Sequence, residues 1–411
     1  MRILYVCHRF PYPPRRGGTI RPFNMIKHLS LSHEVVVCSL SRSDRETRDA
    51  QGIAPFCAEF HIGHVDNRVQ ILRMLVTLPT LLTASASFFH SNKLERDIKR
   101  VLQEQKFDLI FVHCSSVAHY VDHVQGIPKI LDFGDMDSQK WLEYAQHKAF
   151  PLSLGYWWEG ARLRAEEKRL ATRFDFCTAI TRAERQTMID YGVKTPTDWF
   201  PNGVDNSFFA PIADVTYDPN IIVFIGRMDY FPNQQCMLDF CADVLPRLQA
   251  RRPAIRLQIV GADPSPEITK LGELPGVTVT GTVPDVRPYV TQAALTVAPL
   301  RIARGTQNKI LEAMAMGTPV VCSSAAAGGV DAVPGEHFIT ADSPDDMCNA
   351  ILCILDDPAE RARLAHAGRA RVLSNHAWPN SMKRLDAIIE RCVGDFNAAA
   401  GSARTRLTES A

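Results

Sequence analysis

Residues 298–321 read APLRIARGTQNKILEAMAMGTPVV, and the order of residue types in this stretch decides the fold. An apolar run ends at Pro299, a loop with Arg301, Arg304 and Gly305 follows, and a helix is predicted to begin near Thr306–Asn308. That helix carries Lys309 and Glu312, and a second apolar run starts at Pro319. Free amides at a helix start attract anions, and a glycine lets backbone come close to a ligand. Arg304 and Lys309 add positive charge at the same end, so Gly305, Thr306 and these two cations form a plausible diphosphate cradle. Glu312 is placed to accept hydrogen bonds from vicinal hydroxyls, as acidic residues do for a ribose in dinucleotide sites. The same residues also fit an amphipathic helix with Lys309 and Glu312 on its solvated face.

Outward from this stretch the pattern repeats. Apolar runs predict strands at Ile3–Cys7, Glu34–Leu40, Glu59–Ile62, Leu109–His113, Lys129–Phe133 and Phe176–Ile180. A second series lies at Ile221–Ile225, Arg256–Val260, Val277–Thr280, Leu295–Ala298 and Pro319–Cys322. Helical spacing falls between many of these runs, at 93–105, 156–173, 182–191, 233–251 and 308–316. Strands alternating with helices imply an α/β chain with parallel sheets and helices on both faces. Two such series predict two doubly wound, Rossmann-like domains, residues 1–200 and 201–376. A helix at 377–396 is expected to return to the first domain, and the small polar tail 397–411 is expected to be disordered. Ligands of such sheets bind beyond the carboxyl ends of the strands, so an interdomain cleft is the expected site.

Bulk properties exclude several classes. At 411 residues, with 46% hydrophobic and 22% charged side chains, the chain is an ordinary globular one. A formal net charge of +1 gives no global attraction to nucleic acid, and none is expected as a partner. The 11 cysteines have no C-x-x-C spacing and read as buried reduced thiols. The amino terminus is too short in apolar residues for a signal peptide, which points to the cytoplasm. Ile71–Phe89 contains Arg73 and Pro79, so it does not read as a spanning helix. It could form short helices touching a membrane face, placing the protein peripherally at the inner face of the plasma membrane, or simply core-facing helices plus a loop.

With these segments in view, the chain resembles the retaining glycosyltransferase family 4, which has the two-Rossmann architecture called GT-B. LEAMAMGTPVV (311–321) matches its signature, and five other segments follow in the family's order. These are PYPPRRGGTIRPFNMIKHL (11–29), FDFCTAITRAERQTM (174–188), FPNGVDNSFFAP (200–211), IIVFIGRMD (221–229) and LQIVGADP (257–264). The general pattern further resembles bacterial exopolysaccharide and exosortase-associated sugar transferases. The resemblance implies that Glu312 binds the donor ribose, that Gly226 and Arg227 meet its phosphates, and that Gly17 and Gly18 offer backbone amides to phosphate or sugar. A surface ion pair is the other reading of Arg227, and Arg15 and Arg16 could serve an anionic acceptor or lie in a solvated loop.

Three positions depart from the family. Its first glutamate falls on Arg304, which cannot accept a hydrogen bond and can instead meet a phosphate or an acidic sugar. Its phosphate lysine is absent from MDYFPNQQC, where Asn233 lies nearby, and Arg304 or Lys309 could replace the charge. Its histidine after the PKILDF strand falls on Gly134, with Asp132, Asp135 and Asp137 around it. Asp135, Asp132 and the strand-end His113 are therefore the candidate catalytic groups, Asp135 first. Asp137 or Ser138 could equally cap a following helix. No metal and no cofactor are expected: the aspartates lack a second cluster, and Gly17–Gly18 is not a G-x-G-x-x-G loop. The expected function is transfer of a sugar from a nucleotide-sugar donor to a glycan or lipid-linked acceptor. A nucleotide-sugar 2-epimerase and a non-catalytic nucleotide-sugar-binding partner are the alternatives.

Overall fold

Ile3 through Cys7 have no exposed surface, and neither do Val36, Val37 and Cys38 on the neighbouring strand. Runs this apolar can be stable only where both faces are covered. In the computed structural model, which describes residues 1–14, 17–77, 83–213 and 215–409, they form the middle of a parallel sheet. Its strands are β1 (Arg2–Cys7), β2 (Glu34–Ser41), β3 (Glu59–His64), β4 (Leu109–His113), β5 (Lys129–Gly134), β6 (Phe176–Ala179) and β7 (Thr197–Trp199). They are arranged β3-β2-β1-β4-β5-β6-β7. A second parallel sheet contains β8 (Asp218–Ile225), β9 (Arg256–Val260), β10 (Val277–Gly281), β11 (Ala293–Ala298), β12 (Val320–Cys322) and β13 (Ile339–Thr340). Its order is β10-β9-β8-β11-β12-β13. Each sheet is wound outward in both directions from its first strand. The reversal therefore falls between β1 and β4 in one sheet and between β8 and β11 in the other. Crevices beyond the carboxyl ends of the strands open at such a reversal.

The chain divides into two compact units, Met1–Phe200 with Met382–Ala411, and Pro201–Ser381. Each has its own apolar core, built around Leu4, Val36, Ile110 and Leu131 in the first and around Phe224, Ile259, Leu295 and Val321 in the second.

Several elements differ from the sequence reading. The first helix starts at Gly17, so the paired glycines lie in its first turn. The helix that Asp137 or Ser138 could cap is present at Asp137–Gln146, but Met136 holds its cap position. Glu167 occupies the Ser138 amide instead, at 3.0 Å. Among the described residues the last helix runs from Trp378 to Glu409, through most of the segment expected to be a disordered tail. Alanine and arginine, frequent in that segment, are strong helix formers. Among the described residues no helix is long and apolar enough to cross a membrane. All cysteines but Cys57 and Cys353 are buried, and all are free thiols.

Candidate functional site

In the second unit, β11 ends at Ala298 and the helix Asn308–Ala315 begins ten residues later. Gly305, at φ 62°, makes the turn between them in the left-handed region that glycine alone adopts easily. The turn is clamped from outside: a Cβ on Gly329 would lie 1.8 Å from the Gly305 carbonyl oxygen. Lys309, in the first turn of the helix, sends its Nζ to Asn233 Oδ1 at 2.6 Å and over the Phe224 ring at 4.6 Å. The Asn233 side chain in turn donates to the Arg227 carbonyl at 2.8 Å. The lysine absent from the MDYFPNQQC segment is thus replaced in space by one from a helix 76 residues on.

The glycine after β8 belongs to the same arrangement. A Cβ on Gly226 would press on Asn233 Nδ2 at 2.8 Å and on Lys309 Cε at 3.4 Å. Burial pushes the Lys309 ammonium down to about 8, against the pull of Cys236 and Glu312. Burial likewise pushes the Glu312 carboxyl up to about 7, opposed by Lys309. Thr306 Oγ1 and Asn308 Oδ1 are buried without a hydrogen-bond partner among the described residues. A buried polar atom left unpaired carries a desolvation cost of about 1–3 kcal/mol that a ligand can relieve. The helix start therefore gathers a partly desolvated ammonium, unpaired side-chain oxygens and amides without a side-chain cap, with a half-buried carboxylate one turn on, which suits an anion linked to a polyhydroxyl group.

Arg227 is placed differently from the expectation. Its guanidinium pairs with Asp229 at 2.6 Å and with Asp263, and it is 37% exposed. A phosphate would have to share it with two carboxylates. Arg304 is half-buried, and its carbonyl accepts from Gln307 Nε2 at 3.0 Å. Arg301 is paired with Asp239 at 3.1 Å.

In the first unit, Asp132 is fully enclosed. Its carboxylate accepts from Arg21 Nε at 2.9 Å and Nη2 at 3.1 Å, from Thr178 Oγ1 at 2.9 Å, and from His113 Nδ1 at 2.8 Å. Burial alone would raise this carboxyl, but the Arg21 charge and the His113 bond hold it far below the usual range. All its lone-pair directions are taken within the protein, which speaks for positioning the His113 ring by Nδ1 over direct contact with a substrate, and leaves Nε2 for other contacts. Arg21 is held by the Phe200 carbonyl at 3.0 Å and by the Phe200 ring face at 3.7 Å.

Asp135 behaves otherwise. Burial, reinforced by Asp137 and opposed by Lys140, pushes its carboxyl up to about 6. Its Oδ1 is buried without a hydrogen-bond partner among the described residues. Gly134, at φ 68°, turns the chain between Asp132 and Asp135, and a Cβ there would face His113 Cε1 at 3.7 Å. An imidazole from the adjacent strand, β4, thus lies beside position 134. Gly18 lies beside the residues that follow β1: a Cβ there would stand 3.5 Å from Arg9 Cδ and 4.0 Å from His8 Nε2. His8 lies 5.8 Å from His113, ring to ring, and burial keeps it neutral. The sequence reading passed over His8 and Arg9, whose one signal is their place at the end of β1. His119 is not part of this group; it packs on Tyr120 at 4.1 Å. Arg15 and Arg16 lie outside the described residues. Among those described, no group of three or more His, Cys, Asp or Glu is arranged to hold a metal ion.

Two family models match the chain. One, Glycosyltransferase Family 4, covers residues 16–208, and the other, Glycosyl transferases group 1, covers residues 219–357. Over 251 residues the chain is 26% identical to the GDP-mannose-dependent alpha-(1-6)-phosphatidylinositol monomannoside mannosyltransferase of Mycolicibacterium smegmatis, covering 55% of this chain and 65% of that one. It is 26% identical over 270 residues to the D-inositol 3-phosphate glycosyltransferase of Kineococcus radiotolerans, covering 57% and 61%. The chain thus spans less than two thirds of these relatives' length. Sucrose-phosphate synthase from Thermosynechococcus elongatus superposes with a TM-score of 0.69 at 17% identity, over 96% of this chain and all of that one. HepE of Anabaena in complex with UDP gives 0.69 at 14% identity, over 95% and 100%. At these identities the likeness speaks for the fold alone.

Proposed function

The chain belongs to glycosyltransferase family 4 and has the GT-B fold, and on that premise we propose that it transfers a sugar from a nucleotide-sugar donor to an acceptor hydroxyl. One observation carries the reading: Lys309, braced by Asn233, stands with Glu312 at the start of a helix whose turn is built from glycine. The helix-start amides and the Lys309 ammonium stabilise the charge that develops on the departing nucleoside diphosphate. Glu312 holds the ribose hydroxyls. Arg304 faces the phosphate or an acidic group of the sugar, and Arg227 contributes once it exchanges a carboxylate for a phosphate. On the first unit, His113 and Asp135 are the groups we assign to the acceptor, with Asp132 and Arg21 holding the imidazole in place. Transfer proceeds with retention of configuration, as the family resemblance implies.

The acceptor in this reading is a glycan or a lipid-linked one, and the setting is bacterial exopolysaccharide assembly at the inner face of the plasma membrane. The relatives named for phosphatidylinositol mannosides favour the lipid-linked form. The test is turnover: the protein is incubated with a panel of nucleotide sugars and lipid-linked acceptors, and products are separated by chromatography. Free nucleoside diphosphate together with a new glycoside is the expected result. An epimerised donor would make it an isomerase, and donor binding without any product would make it a non-catalytic partner.

A further inference from the structure

Phe150, Leu152, Leu154, Trp157 and Trp158 are 80%, 63%, 55%, 52% and 52% exposed. They fall within residues 150–158, where the helix Asp137–Gln146 turns into the helix Leu152–Ala171. The two helices are tightly joined. A Cβ on Gly160 would reach 2.8 Å from Leu142 Cγ, and the Trp141 ring stacks on Tyr156 at 5.3 Å. The inner face of the second helix is buried at Glu159, Gly160, Leu163, Glu167 and Leu170. Its outer face should then be polar. Instead, positions 154, 157 and 158, which share one face at helical spacing, are leucine and two tryptophans. Exposed apolar groups scattered singly are ordinary, but a contiguous patch marks a contact surface.

The charge around the tip narrows what covers it. From Tyr144 to Trp158 there is no aspartate or glutamate, and the basic residues are His147 and Lys148. Further along the outer face the exposed residues include Arg164 and Lys168. Tryptophan and tyrosine settle at the headgroup level of a bilayer, and flanking cations are drawn to anionic lipid. Because no described helix is suited to spanning, such contact lies in the interface plane. The Ile71–Phe89 stretch, part of which lies outside the described residues, meets the inner face of the second helix, where the Ser85 amide donates to Glu159 Oε1 at 3.3 Å. Ile71 is 52% exposed on its own helix, Asn67–Thr77.

We propose that the helical hairpin tip, Phe150–Trp158, docks this chain on an anionic lipid surface. The hairpin rises directly from the end of β5, two residues after the Asp135 carboxylate, so docking it brings a lipid-linked headgroup to the strand end assigned to the acceptor. This last consequence rests on the lipid-linked acceptor reading above, whereas the docking itself does not.

The test is co-sedimentation with vesicles of phosphatidylcholine alone and of phosphatidylcholine mixed with phosphatidylglycerol, for the parent and for a Trp157→Ser, Trp158→Ser double variant. The parent is expected to bind the mixed vesicles and to have its tryptophan fluorescence quenched by brominated lipid. The variant should bind at least about tenfold more weakly. Both residues are exposed and unused in the donor site, so the melting-point shift given by a nucleoside diphosphate should be unchanged. If the parent ignores vesicles, if the variant binds them equally well, or if the patch instead joins two copies of the chain on a sizing column, the proposal is overturned. Loss of the nucleotide shift in the parent would count against the donor assignment and leave the docking result standing.

Discussion

Lys309 concentrates the account at the scale of the residue. Its ammonium titrates near 8 and the neighbouring Glu312 carboxyl near 7, both displaced by burial. Binding of a diphosphate needs the lysine charged, so it is present below about 8 and lost as pH rises through that value. Hydrogen bonding to ribose favours ionised Glu312, so affinity climbs as pH rises through about 7. Titrating a nucleoside diphosphate across this range should therefore give an affinity maximum between the two values. Above the maximum, affinity should fall by up to about tenfold per pH unit, the limit for one proton. Lys309→Arg should remove the alkaline fall, because arginine stays charged; a flat profile in the parent would contradict the assignment. The residues of this cradle were legible because they lie within one short stretch, where helix-start chemistry can be read directly. The bonding of Asp132 was hidden for the opposite reason. Its partner Arg21 lies 111 residues away, and no local pattern shows that the carboxylate is already fully bonded. His8, Asn308 and the pairing of His113 with Gly134 were hidden likewise, since each depends on what neighbouring strands or turns bring together.

Among elements, the strands were the easiest to read, because strands buried on both faces are apolar without interruption. The strands missed, β7 and β13, contain three and two residues, too few to carry a pattern. The length of the helix Asp137–Gln146 was hidden because its buried residue, Ser138, is bonded to Glu167 and no apolar stripe marks it. The final helix was cut short because small residues were taken for a tail. The turn before the Asn308 helix supports a test at this scale. In Gly329→Ala the new methyl would collide with the Gly305 backbone, which cannot move aside as a flexible side chain would. Stability should fall by roughly 1–3 kcal/mol, read as a lower melting temperature, and nucleotide binding should weaken with it. Gly394→Ala is the control: nothing lies within 4 Å of its Cβ in the last helix, so stability should hold or rise by up to about 1 kcal/mol. Equal effects of the two substitutions would mean that the clamped turn is not as described.

For the whole molecule, the architecture follows from repetition. Two sheets with the same outward winding place their first strands, β1 and β8, beside the reversals, and the candidate residues follow those strands and their neighbours. A net charge of +1 leaves recognition to local groups and not to a general field. Which sugar is moved was not legible, because donor selectivity depends on the contacts a bound sugar makes and not on the motif that holds its diphosphate. The central claim is that the second unit grips a nucleoside diphosphate by Lys309 and Glu312. Calorimetric titration of UDP and GDP into the parent, Lys309→Ala and Glu312→Ala tests it most directly. At least one of the two nucleotides should bind the parent at one per chain, and each substitution should weaken it at least about tenfold. Binding that is unchanged in both variants, or no binding by the parent, would contradict it.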